Sequence, residues 1–92
     1  MILSFTNKDT ALLANHTRVK KYEKIERIAL RKILQLEIAK SLSDLAIPPG
    51  NRLERLEGNR FGQHSIRIND QYRVCFVWTD NGVEQVEIVD NH

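Results

Sequence analysis

Two hydrophobic periods divide the chain. Between residues 20 and 40, Tyr22, Ile25, Ile28, Ala29, Ile33, Leu36 and Ala39 recur at helical spacing, and no Gly or Pro interrupts them. The pattern predicts one long helix over 20–40. A narrower stripe of Leu30, Leu34 and Ile38 runs beside it, four residues apart. A helix with two apolar stripes must bury both or offer one to a partner. A short helix over 10–15, capped by Asn7 or Asp9, is one candidate cover. Residues 2–5 are apolar and extended enough for a strand. Ser41 to Leu45 restarts a helical turn, which Pro48, Pro49 and Gly50 end.

After residue 51 the period becomes two. Strands are expected over 52–56, 63–68, 72–79 and 83–89, with turns at Gly58-Asn59 and Asp80-Asn81-Gly82. Register follows from the apolar sets, because a slip of one residue would turn every side chain to the other face. His64, Ile66 and Ile68 belong with Tyr72, Val74 and Phe76. That places Ile68 opposite Tyr72 across a loop of Asn69, Asp70 and Gln71. The same register sets Arg67 opposite Arg73 and Ser65 opposite Cys75 on the other face. Two arginines about 5 Å apart at Cβ repel unless an anion lies between them or each finds solvent or a carboxylate such as Glu87. The expected architecture is α+β, two N-terminal helices packed on a mostly antiparallel sheet, in one domain spanning 1–92.

Composition narrows the function. The 92 residues are 41% hydrophobic and 28% charged, ordinary for a globular domain, and no apolar run reaches membrane-spanning length. The first five residues are too short and lack the basic start of a secretory signal. One cysteine, Cys75, excludes an internal disulfide framework and a Cys-based zinc site, which points to a reducing, intracellular setting. Net charge is +2. Every basic residue from 52 to 73 is arginine: Arg52, Arg55, Arg60, Arg67 and Arg73. Arginine presents a planar fork that matches phosphate geometry, whereas lysine is a point charge.

No phosphate loop, dinucleotide fingerprint, zinc-protease motif or nucleophile elbow is present, and no metal or cofactor is expected. His16, His64 and His92 lack ligand spacing. His64 reads as a half-buried packing residue. Metal-free RNA cleavage needs a base for the 2′-hydroxyl, a cation for the phosphorane-like transition state and an acid for the leaving 5′-oxygen. Arg67 and Arg73 offer the charge. The last strand delivers Asp90 and His92 to the sheet edge. Glu54 and Glu57 stand nearby, and a half-buried site would raise a carboxylate toward the range of a base.

The stretches Gly50-Asn51-Arg52-Leu53-Glu54-Arg55-Leu56-Glu57-Gly58-Asn59-Arg60, Gly62-Gln63-His64-Ser65-Ile66-Arg67-Ile68-Asn69 and Tyr72-Arg73-Val74-Cys75-Phe76, with the ending Val86-Glu87-Ile88-Val89-Asp90-Asn91-His92, resemble the HigB branch of the RelE/ParE toxin superfamily. The chain is most similar to the GraT-like members. The resemblance implies a cytoplasmic toxin of a bacterial toxin–antitoxin pair that cuts mRNA on the ribosome. A HigA-like helix-turn-helix antitoxin would neutralise it and bind operator DNA with it. Arg73 matches a phosphate-contacting arginine, and Asp90 and His92 match functional C-terminal residues. Arg60, Arg67 and Asn91 then become RNA-binding candidates, and Leu30, Leu34 and Ile38 a candidate antitoxin surface. Three positions depart from the pattern. Asn91 replaces an aromatic residue, and Glu54 and Glu57 stand where a well-known HigB pattern has His and Lys, which weakens phosphate attraction. Other branches use a Glu–Arg–His set, so Glu54 or Glu57, Arg73 and His92 would still complete a site. The alternatives are a non-cleaving, ParE-like inhibitor and a weakly active toxin serving mainly operon autoregulation.

Overall fold

In the computed structural model, which describes residues 1–90, Asn7 opens the first helix. Its Oδ1 accepts from the Thr10 amide at 2.8 Å, and α1 runs Lys8–Ala14. Thr10 is fully buried, and its Oγ1 accepts from the Ile88 amide at 3.1 Å, tying α1 to the last strand.

The pattern over 20–40 forms two pieces rather than one helix. A 3₁₀ turn covers Lys20–Tyr22, and α2 begins only at Glu26 and ends at Ile38. Tertiary contact overrides the periodicity. Tyr22 is buried edge-on against Tyr72, ring centroids 5.9 Å apart at 90°. The Tyr22 and Ile25 amides make tight bonds to the carbonyls three residues back, Val19 and Tyr22. At the other end, Asp44 Oδ2 accepts from the amides of Lys40 and Ser41 at 2.9 and 3.1 Å. Those amides are therefore lost to α2, which stops short of Lys40. Tyr22, Ile25, Ala29, Ile33 and Leu36 are buried as expected, while Ile28 stands 38% exposed.

Four antiparallel strands follow in sequence order: β1 Glu54–Arg55, β2 His64–Arg67, β3 Tyr72–Thr79 and β4 Gly82–Asp90. The expected register holds, with His64 opposite Phe76, Ile66 opposite Val74, Ser65 opposite Cys75 and Arg67 opposite Arg73. Asn69 Oδ1 stabilises the loop by accepting from the Gln71 and Tyr72 amides. The strand expected over 52–56 shrinks to two residues because Arg52 takes a left-handed conformation, φ 46°. At the β3–β4 turn, Thr79 Oγ1 accepts from the amides of Asn81 and Gly82. Gly82 has φ 149°, and a Cβ there would lie 2.6 Å from the Met1 carbonyl oxygen.

Strand β4 carries one irregularity. Val83, Val86 and Ile88 all face the core, although 83 and 86 differ in parity. Cys75 pairs with Glu87 but Val77 pairs with Glu84, so β4 holds one extra residue there. Gln85, exposed and at φ 55°, accommodates it as a bulge. Its amide donates to Ser4 Oγ at 2.8 Å rather than to a backbone carbonyl. For that reason residues 2–5 form no full strand. They lie along β4 as two isolated parallel bridges, Ile2 with Val83 and Phe5 with Val86.

Leu13, Ala29, Leu36, Ile66, Val74, Phe76, Val83 and Val86 are wholly buried between the helices and one sheet face. The architecture is the α+β arrangement expected from sequence. Asn51 ties the long connection between α2 and the sheet to this core. It is fully buried, and its Nδ2 donates to Gln35 Oε1 and the Leu45 carbonyl at 3.0 Å and to the Ile47 carbonyl at 3.3 Å. Its Oδ1 accepts from Lys32 Nζ. Asn51→Ala leaves the buried Leu45 carbonyl and the partly buried Ile47 carbonyl without this donor, and the expected loss is about 2–3 kcal/mol, read by chemical denaturation.

Candidate active site on the open face of the sheet

The helices cover one side of the sheet, and the alternating residues face the other. Register lines up Glu54, Ser65, Cys75 and Glu87 across the four strands. The next row holds Arg67, Arg73 and Val89. The polar half of the site is thus a direct product of period-two alternation.

Arg67 and Arg73 avoid each other by turning to different acceptors. Arg73 sinks into the sheet and is only 8% exposed. Its Nε donates to Ser65 Oγ at 2.7 Å, and its Nη2 donates to the Arg52 carbonyl at 2.7 Å and the Ser65 carbonyl at 3.4 Å. Glu54 Oε2 lies 3.6 Å from the same Nη2. Nη1 takes part in none of these contacts. The left-handed turn at Arg52 presents the carbonyl that Arg73 grips. Arg67 turns toward the β2–β3 loop and pairs with Asp70 Oδ1 at 2.5 Å. Arg60 Nη1 donates to Glu87 Oε1 and Gln63 Oε1, both at 3.1 Å. Glu87 therefore serves Arg60 rather than the Arg67–Arg73 pair.

The remaining candidates scatter. Glu57 is exposed before the Gly58–Arg60 turn and makes no ion pair among the described residues. Asp90 ends β4 opposite Tyr72, which places it on the helix-facing side of the sheet, and its Oδ2 accepts from Gln71 Nε2 at 3.0 Å. Val89, not Asp90, lies opposite Arg73. Asn91 and His92 lie outside the described residues. His64 stacks on Phe76 at 6.2 Å, and burial, aided by Arg55, pushes its pKa below the usual histidine range, in keeping with a neutral packing role. Among the described residues no cluster of His, Cys, Asp and Glu could hold a metal ion, and no helix is long and apolar enough to cross a membrane.

On the helix side, the second stripe of α2 divides. Leu30 is half-buried and Leu34 is 57% exposed, and both line a groove of about 600 Å³ with Ile2, Phe5, Ala11 and Ala14. Helix α1 forms a wall of this groove and does not cover Leu34. Arg27 and Arg31, one helical turn apart, also line it. Ile38, 66% exposed, belongs to a separate hollow beside Ala39 and Leu45.

Sequence reasoning missed Ser65, Arg52 and Asp70 as partners of the arginines. Ser65 was legible in principle, as a small hydroxyl diagonal to Arg73. The Arg52 carbonyl was not, because side-chain patterns carry no information about a left-handed backbone. Cys75 lies beneath this cluster, 2% exposed, and burial pushes its thiol pKa above 9.0. The native state therefore retains a proton that the unfolded chain releases, so this contribution lowers stability as pH rises past about 9. Denaturation midpoints measured at pH 8 and pH 10 should separate more in the wild type than in Cys75→Ala.

A family model described as a RelE-like toxin of the type II toxin–antitoxin system HigB matches residues 7–92. Toxin HigB-1 of Vibrio cholerae serotype O1 is 52% identical over 68 residues, covering 74% of this chain and 70% of that protein. An uncharacterized protein of Haemophilus influenzae is 33% identical over 60 residues, covering 65% of this chain and 59% of that one. In three dimensions the chain is similar to a chain of the YoeB-YefM complex from Staphylococcus aureus, with TM-score 0.59 and 20% identity over all of this chain and 95% of that one. That likeness concerns the fold. An arginine-bearing open sheet face, opposite the one that two N-terminal helices cover, and a family match over nearly the whole length lead to one conclusion: the chain belongs to the HigB-type, RelE-like toxins of type II toxin–antitoxin systems.

Proposed function

We propose that this toxin is a ribosome-dependent endonuclease that cleaves mRNA without a metal ion, acting in the cytoplasm. The observation that carries the reading is Arg73. Its guanidinium is held from two sides through Nε and Nη2, Nη1 makes none of these bonds to the described residues, and a carboxylate, Glu54, lies 3.6 Å from Nη2. A fixed cation stabilises charge developing on a phosphate without reorganising during the reaction. Glu54 is the carboxylate nearest to Arg73 and takes the proton from the 2′-hydroxyl. The 2′-oxygen attacks phosphorus, the bond to the 5′-oxygen breaks, and His92 supplies the proton to that leaving oxygen. Asp90 orients the chain end that carries His92. Arg60, Arg67 and Asn91 hold the flanking backbone, with Glu57 at the rim. The ribosome supplies substrate positioning that so small a surface lacks.

In primer extension on translating ribosomes, Arg73→Ala should lower cleavage by about 100- to 1000-fold. Glu54→Gln and a chain ending at Asn91 should lose about 100-fold each, with melting curves as the folding control. Full cleavage by the Arg73 variant and by the shortened chain overturns this mechanism. A second reading, a weakly active toxin kept for operon regulation, draws on the carboxylates facing Arg60, Arg67 and Arg73. A wild-type protein that binds antitoxin yet leaves ribosomal mRNA intact would favour it.

The partner in this reading is a HigA-like antitoxin, through which the pair reaches operator DNA. Support comes from the family and from the related fold in a heterotetrameric YoeB-YefM toxin-antitoxin complex of Staphylococcus aureus. The groove holding Leu30 and Leu34, together with the separate hollow at Ile38, is its docking surface. An amphipathic helix would seat apolar residues on the floor and carboxylates against Arg27 and Arg31. Leu34→Asp should weaken capture of the antitoxin by about tenfold or more in calorimetry, while ribosome-bound cleavage stays unchanged.

A further inference from the structure

Asp70 sits in an unusual position for an ion-pair partner. Its side chain is 98% exposed, yet its carboxylate is fixed on Arg67 Nη2 at 2.5 Å. Arg67 lies opposite Arg73 across the β2–β3 pairing. Arg73 in turn holds the carbonyl of Arg52, so the backbone of Arg52 adjoins the same corner of the open face. Arg67 therefore stands at the β2–β3 loop beside the corner that Arg73 and the Arg52 backbone form, and the loop supplies the anion that faces outward.

We propose that Arg67, with Arg52 beside it, forms a subsite for a backbone phosphate of single-stranded RNA adjoining the one at Arg73, and that Asp70 is the resident anion this phosphate displaces. The inference rests on the RNA-cleaving reading and adds to it a residue that restrains binding. Geometry supports the exchange. A carboxylate oxygen and a phosphate oxygen make the same charge-assisted bond to a guanidinium, and a phosphodiester presents further oxygens to a second arginine. An ion pair this exposed contributes little to stability, so its release is cheap. The hydrogen bond from Arg67, then its charge, holds the Asp70 carboxyl below the usual carboxylate range, and Arg52 adds a smaller push in the same direction. Among the described residues the Asp70 side chain pairs with Arg67, whereas the loop amides of Gln71 and Tyr72 are held by Asn69 Oδ1. Removing the charge therefore leaves the fold in place.

The test is fluorescence anisotropy with a ten-nucleotide, fully 2′-O-methylated RNA, which cannot be cleaved, titrated at several salt concentrations. Asp70→Asn should tighten binding by about three- to tenfold and steepen the salt dependence by close to the share of one phosphate contact. Arg67→Ala should weaken binding, and the double variant Arg67→Ala/Asp70→Asn should show no gain over Arg67→Ala alone. Unchanged or weaker binding by Asp70→Asn, in a protein whose wild type holds the RNA, overturns the subsite and leaves the endonuclease reading standing. A gain that persists without Arg67 also overturns it. Inorganic phosphate that competes as strongly as RNA at equal phosphate concentration would overturn it in favour of a free-anion site. A wild type that holds no RNA at low salt overturns the subsite, while primer extension on translating ribosomes decides the reading beneath it separately.

Discussion

A guanidinium buried in a β-sheet is the constraint around which this molecule is arranged. Arg73 is almost fully removed from water, and an unpaired charge at that depth would destabilise the fold by several kcal/mol. Three features offset that cost. Ser65 is small enough to leave room and carries a hydroxyl at the right height. Arg52 adopts a left-handed backbone, a strain of about 1 kcal/mol, which turns its carbonyl toward Nη2. Glu54 balances the charge from the edge strand. Positions 52, 54, 65 and 73 therefore act as one unit, and lysine at 73 would serve only part of it, since an ammonium lacks the fork that reaches both acceptors.

Much of this was legible from the chain alone. The apolar alternation fixed β2 against β3 to the residue, because Ile66 and Val74 had no other way to share the core. It also placed Arg67 beside Arg73. It did not reveal how two adjacent cations coexist. That depends on backbone conformation at Arg52 and on a loop carboxylate, neither of which carries a periodic signal. The same limit explains α2. The spacing of Tyr22 and Ile25 fits a helix, but Tyr22 gains more by reaching Tyr72, so the helix begins later. The shorter β1 and the bridged N-terminal segment fail as full strands for local backbone reasons of the same kind. Among the candidate site residues, Glu54 and Arg73 come together and Glu57 and Asp90 stand apart from them. Parity with Ile88 already puts Asp90 on the helix side, whereas the separation of Glu57 depends on β1 ending at Arg55, which carries no periodic signal.

The two faces of the sheet offer different chemistry. The helix side ends in an apolar groove flanked by Arg27 and Arg31, and the open side bears the arginine–carboxylate array. A protein seated in the groove would leave Arg73 uncovered. Under the proposed function, silencing would then work by bulk, keeping the complex out of a ribosomal site that admits the small toxin alone. Recognition of a partner and recognition of RNA would draw on separate residues, and each could change without disturbing the other.

The bulge at Gln85 connects those two halves more closely than their positions suggest. It shifts the phase of β4 by one residue, so that Val83 and Val86 reach the same interior while Glu87 still emerges on the outer surface beside Arg60. From Val86 onward inward and outward residues alternate regularly, and the extra residue at 85 brings Val83 into step with them. A lineage that lost Gln85 alone would keep the interior valines and the Arg60 partner in plain alternation. Evolution can delete this residue without inverting either face, and what it would lose is the amide bond to Ser4 that seats the N-terminal segment.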